Sequence, residues 1–108
     1  MNDIINLAEL ERGLESGQLV LVEALPEPYY ARGHLPGAVL LPLDALAKDA
    51  ARVLPERSAD IVVYCSGPTC ANSDTAGRAL KAMGYEHVRV FKGGKAEWTE
   101  AGHSLEVA

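Results

Sequence analysis

"VVYCSGPTCANSDTAGRAL", residues 62–80, carries the reading of the fold. A β-branched run ending in Tyr64 suits a strand, and Gly67-Pro68 interrupts it. From Ser73 onward Ala76, Leu80 and Met83 recur at helical spacing, and Gly84 suits the stop. Asp74 falls in the first turn, where the helix dipole favours negative charge. Strand, short loop and helix in that order are the opening of a βαβ unit. The chain's two cysteines, Cys65 and Cys70, both lie in the loop.

The flanking segments repeat the pattern. "NLAELERGLES" reads as a helix capped by Asn6, with Glu9 as the return partner of a capping box and Gly17 as the stop. The apolar runs 19–25 and 38–42 read as strands buried on both faces of a parallel sheet. "LDALAKDAARVL" reads as a helix capped by Asp44, with Leu46, Ala50, Val53 and Leu54 on its inner face. Residues 60–65 and 87–91 give further strands, and "KAEWTEA" a last short helix ending at Gly102. The alternation predicts one α/β domain, residues 1–108, around a mostly parallel sheet. Ligands of such sheets bind beyond the carboxyl ends of strands, where Cys65 lies.

Composition narrows the function classes. The chain has 48% hydrophobic residues, enough for a core without a staple. Acidic residues outnumber basic ones fifteen to ten, with no basic cluster, so a nucleic-acid partner is not expected. No apolar stretch is long enough to span a membrane, and "MNDIINLAEL" lacks the features of a signal peptide. The expected setting is the cytoplasm, where thiols stay reduced.

Two cysteines in a reducing compartment suggest chemistry. A helix N-terminus and a curled glycine-containing loop both offer N–H groups to an anion, which favours a thiolate at Cys65. Zinc is poorly supported by one C-x4-C and scattered histidines. A structural disulfide would add little in the cytosol. A phosphatase-like loop would want an arginine, and none lies between Cys65 and Ser73. An inert buried thiol is the bland reading, and the loop favours a nucleophile over it. "KGGKAEW" is no P-loop, because Arg89 and Ala96 stand where glycine and Ser/Thr are needed. His34 reads as a turn residue bonded to backbone, and His87 and His103 as exposed.

With these pieces the chain resembles the single-domain rhodanese family of sulfurtransferases. "YYARGHLPGAVLLP" is similar to the family's E-Y-x-x-G-H-I-P-G-A block, "IVVYC" with its loop to the active-site strand, and "VFKGGKAEWTEAG" to the G-G-x-x-x-W ending. The resemblance implies a five-stranded, mainly parallel sheet flanked by helices on both faces. It implies that Cys65 takes sulfane sulfur from thiosulfate or another small anionic donor. The resulting persulfide passes its sulfur to cyanide or a thiol, with no cofactor or metal. It assigns Ser66, Gly67, Pro68, Thr69, Cys70, Ala71, Asn72 and Ser73 to the active-site loop, their N–H groups stabilising the anion. Arg32, Lys92 and Lys95 become candidate substrate contacts, weighed against plain surface charges.

Three departures stand out. The family's D-V-R is Glu23-Ala24-Leu25 here, and Tyr29 replaces an acidic residue. The loop is a little longer than the commonest form, which suggests a wider cradle for a bulkier substrate. Cys70 stands where many members carry an arginine, so thiosulfate is expected to be a poor donor. A second thiol also opens a redox alternative, with Cys70 resolving a Cys65 persulfide into a disulfide, against a spectator role. A catalytically weak binding module is the remaining alternative.

Overall fold

Capping chemistry sets the first helix. In the computed structural model, which describes residues 3–107, Asn6 accepts from the Glu9 N–H at 2.8 Å and its own N–H donates to the Glu9 carboxylate at 3.0 Å. This capping box opens α1 (Leu7–Ser16), and Gly17 closes it in the left-handed conformation at φ +74°. The chain continues through β1 (Leu19–Glu23), α2 (Glu27–Arg32), β2 (Val39–Leu40), a 3-10 turn at Leu43–Ala45, and α3 (Leu46–Val53). It then forms β3 (Asp60–Tyr64), α4 (Asn72–Ala82), β4 (His87–Phe91) and α5 (Gly94–Glu100).

The strands pair in the order β2-β1-β3-β4, all parallel. Glu23, Tyr64 and Phe91 stand side by side at the carboxyl edge. Alternation along the strands divides the core between two faces. Val22, Ile61 and Val63 pack with Leu46 and Ala50 of α3 and Ala76 and Leu80 of α4. Leu21, Val62 and Tyr64 pack with Leu10 of α1 and Trp98 of α5 on the other. Helices therefore cover both faces, as expected.

The expected fifth strand is absent among the described residues. Residues 3–5 run beside β4, where Ile5 N–H donates to Val90 O and Val90 N–H to Asp3 O, but only the Ile4–Val90 bridge forms. Asn6 ends the extended path by starting α1, so the capping box leaves no length for a strand. Asp44 is likewise not a helix cap. It lies within the 3-10 turn that follows Pro42, and α3 starts at Leu46 with no side-chain cap. The strands expected over 19–25 and 38–42 shorten to Leu19–Glu23 and Val39–Leu40.

One buried polar thread ties these layers together. The Tyr64 hydroxyl donates to Glu23 Oε1 at 2.6 Å and accepts from the Leu35 N–H at 3.0 Å, with Tyr64 and Glu23 both fully buried. Burial, with Glu23 beside it, pushes the Tyr64 phenol far above its ordinary value, so it remains a donor. Tyr64→Phe leaves a buried carboxyl oxygen and an N–H without their partner. We expect a loss of about 3 kcal/mol, read as a lower urea midpoint at unchanged slope.

Candidate active site

The sheet order places the site. From β1 the chain moves outward to β2 and then returns to the other side of β1 as β3. The carboxyl ends of β1 and β3 therefore form the switch point where α/β sheets open a crevice. Cys65 is the first residue beyond β3. Continuing the strand's alternation turns its side chain toward α4, away from the α5 face that holds Tyr64. Its Sγ lies 3.3 Å from Ser73 Oγ and 3.3 Å from the Cys70 carbonyl oxygen, so one thiol proton has two acceptors. Cys65 and Ser73 are each only 1% exposed.

The loop is held from three directions. Within it, the Cys70 N–H donates to Gly67 O at 3.1 Å, curling the chain back over Cys65. Toward β1, Asn72 Nδ2 donates to Ala24 O at 3.0 Å. From α5, the Lys95 and Ala96 N–H groups donate to Cys65 O at 3.1 Å and Ser66 O at 3.0 Å. The last pair explains the glycines of "KGGK". Gly94 adopts φ +56°, and a Cβ there would stand 2.3 Å from Cys65 O and 2.9 Å from Gly67 N. Within the loop Ser66, Pro68 and Thr69 are exposed, while Gly67 is buried.

The thiols do not titrate as the sequence suggested. Burial pushes Cys65 above the ordinary thiol value, and its bond to the Cys70 side chain adds to this; the Ser73 hydroxyl and N–H pull it down without prevailing. Cys70 goes the other way. Its partial desolvation is outweighed by hydrogen bonds from the Cys65 thiol and from the Asn72 and Ser66 N–H groups. The N–H cradle thus acts on both sulfurs, and in the resting dithiol the half-buried Cys70 ionises first.

The candidate substrate cations have structural partners. Lys95 Nζ lies 3.0 Å from Glu23 Oε2 and donates to Tyr29 O at 3.0 Å. The approach to Oε2 is off the hydrogen-bonding angle, so that buried oxygen is neutralised by charge without an aligned donor. Lys92 pairs with Asp74 in the first turn of α4. Arg32 bonds Pro28 O in its own helix and lies over the Tyr29 ring. Arg32 and Lys95 line one shallow depression with Tyr29, Gly33 and Leu105, to which Cys65 contributes nothing. The structure thus gathers Cys65, Cys70, Asn72 and Ser73, and gives each of the three cations a structural partner.

His34 bonds the Tyr30 carbonyl through Nδ1, as expected, and His87 is exposed. His103 is not exposed: it stacks on Trp98 and meets Glu11. No cluster of His, Cys, Asp or Glu suited to a metal occurs among the described residues, nor any helix long and apolar enough to cross a membrane.

The family model of the rhodanese-like domain matches residues 6–101. The chain belongs to the rhodanese-like family. It is 39% identical over 100 residues to an HTH-type transcriptional regulator of Mycobacterium tuberculosis, covering 93% of this chain. It spans only 43% of that relative's length. The rhodanese-like domain of an Anabaena protein superposes with a TM-score of 0.85 at 31% identity, covering all of this chain and 81% of that one. A thiosulfate sulfurtransferase from Pseudomonas aeruginosa also gives 0.85, at 27% identity, over 96% of this chain and 20% of that one. The sequence singles out Cys65 and its loop as the candidate site and gives no account of Tyr64 and Lys95 meeting at Glu23. The only signal for it was the change of the family's D-V-R to Glu23-Ala24-Leu25, since a longer buried acid needs a new partner.

The Lys95→Met variant separates a bracing role from substrate binding. It should lose about 3 kcal/mol of stability because it strands a buried carboxyl group, while the donor KM of the folded fraction stays unchanged. The titration has its own signature. Alkylation of Cys65, followed on its peptide by mass spectrometry, should accelerate with pH on the alkaline side of a free thiol, because only the thiolate reacts. Cys70→Ser removes a side chain that raises Cys65, so the same limb should move to lower pH.

Proposed function

We propose that this chain is a sulfurtransferase that carries sulfane sulfur as a persulfide on Cys65. The reading is carried by one observation: a buried thiol at the sheet's switch point, bracketed by the hydroxyl and N–H of Ser73 at the start of α4. Membership of the rhodanese-like family and the likeness to a thiosulfate sulfurtransferase support it.

In the first step the Cys65 thiolate attacks the outer sulfur of a small anionic donor. With thiosulfate, the S–S bond breaks, sulfite leaves with the bonding electron pair, and Cys65 becomes a persulfide. In the second step a thiol or cyanide attacks the outer sulfur and the Cys65 thiolate leaves. The two displacements balance without a cofactor or metal. Ser73 and the loop N–H groups stabilise the sulfur anion at both stages. The loop supplies no cation, so affinity for a dianionic donor such as thiosulfate is low, and a more reactive sulfane donor is preferred. We place the reaction in the cytoplasm, where small thiols serve as acceptors.

The test is sulfur loading. Brief exposure to thiosulfate or an aromatic thiosulfonate should add one sulfur atom to the Cys65 peptide, and Cys65→Ala should abolish turnover by at least ~100-fold. Native turnover in Cys65→Ala refutes the assignment.

A further inference from the structure

Cys70 is the one nucleophilic side chain of the loop that the sulfur-transfer cycle leaves unused. Its carbonyl oxygen lies 3.3 Å from Cys65 Sγ. The carbonyl carbon is bonded to the Cα that bears the Cys70 thiol, so this contact brings that thiol's point of attachment close to Cys65. The turn closed by the Cys70 N–H and Gly67 O holds it there. The two side chains shift each other's titration, and the Asn72 and Ser66 N–H groups favour the Cys70 anion. Cys65 is enclosed and Cys70 is half-exposed, and both are free thiols in the resting protein.

We propose that Cys70 is a resolving thiol that converts the Cys65 persulfide into a Cys65–Cys70 disulfide and expels the transferred sulfur as sulfide. The inference rests on the persulfide chemistry proposed above. The Cys70 thiolate attacks Cys65 Sγ, a new S–S bond forms between the two residues, and the bond from Sγ to the outer sulfur breaks. The outer sulfur leaves as HS⁻ with the electron pair of that bond. Sulfane sulfur is reduced to sulfide while two thiols are oxidised to a disulfide, so no outside oxidant enters. An external thiol pair then reduces the disulfide and resets the site.

This gives the domain a choice between two fates for the same sulfur. An acceptor that reaches the outer sulfur first receives it by transfer, and Cys65 returns as a thiolate. Without an acceptor, the internal thiol ends the persulfide and leaves an oxidised loop. The site thereby acts as a sulfane-sulfur reductase whose oxidised form records that sulfur has passed. The low-lying thiol is on the correct partner for this step, since Cys70 must be the attacking anion and Cys65 already carries the sulfur.

The experiment uses donors whose leaving group is sulfite or a sulfinate, so that sulfide arises only from the persulfide. The reduced chain is treated with thiosulfate or an aromatic thiosulfonate, with no added thiol. Sulfide is assayed, and the intact protein is weighed with and without alkylation of free thiols. The expected result for the wild type is one equivalent of sulfide, the loss of two hydrogens, and both cysteines protected from alkylation until a dithiol reductant is added. Cys70→Ser is expected to keep the added sulfur on Cys65 and to release at least tenfold less sulfide. A wild-type protein that holds a lasting persulfide beside an alkylatable Cys70 overturns the inference while leaving Cys65 as a sulfur carrier. Failure of both proteins to take up sulfur overturns the carrier reading itself, and the inference falls with it.

Discussion

Two backbone hydrogen bonds, from Lys95 N–H to Cys65 O and from Ala96 N–H to Ser66 O, fix the thiol loop against the start of α5. They form only because Gly94 lets two backbones meet where any Cβ would collide with Cys65 O. Much else follows from that approach. With its backbone pinned beneath the loop, Lys95 has its ammonium group 3.0 Å from Glu23 at the end of β1. Glu23 in turn accepts from Tyr64, and Tyr64 orders the Leu35 N–H. A single close contact thus aligns the ends of β1 and β3 with the "HLPGA" segment, and Cys65 leaves β3 in a fixed direction.

Strand alternation keeps the bracing apart from the chemistry. Tyr64 and Glu23 project to the α1/α5 face, where they form a buried ionic thread. The next residue, Cys65, turns to the α4 face and meets Ser73. A charge as close as Lys95 is thereby spent on a carboxyl group and withheld from the thiol. The outcome is visible in the titration: burial raises Cys65, and the local N–H groups only partly oppose it. The departure from D-V-R is thus compensated within the fold, because a longer acid recruits a lysine from α5 in place of the lost arginine.

What the sequence made legible was chiefly local. The cysteine loop between an apolar run and a helix, the Asn6–Glu9 box and the βα alternation are short-range patterns, and each appears in the structure, although α4 starts without a side-chain cap. The misreadings are contests between a local signal and a longer-range one. The fifth strand lost to the capping box, which caps at Asn6, directly after Ile5, and starts the helix at Leu7. The six-residue α2 was missed because prolines at 26 and 28 obscure a helix held by tertiary bonds, such as Tyr30 Oη to Ala38 O at 2.7 Å. The depressed Cys65 titration was read from the helix end and the curled loop, whereas enclosure depends on how α4, α5 and β1 converge. No sequence spacing shows that convergence.

Replacing a loop arginine by Cys70 changes the kind of electrostatics the site can use. A guanidinium is a permanent cation that holds donor anions and favours a thiolate at all working pH values. A thiol is neutral or negative, so it gives an anionic donor no attraction and competes with Cys65 for the same N–H groups. In a chain of net charge −5, the proposed sulfur transfer leaves donor capture to the oriented backbone and to the reactivity of the sulfur bond itself. The same competition has a second face. Before sulfur arrives, the cradle's N–H groups act on both sulfurs, with Cys65 pushed up by burial and Cys70 drawn down. In the proposed cycle a persulfide makes Cys65 Sγ electrophilic, with HS⁻ as its leaving group, so the charge held on Cys70 then faces an electrophile. The substitution that weakens anion binding is therefore the one that supplies an internal nucleophile.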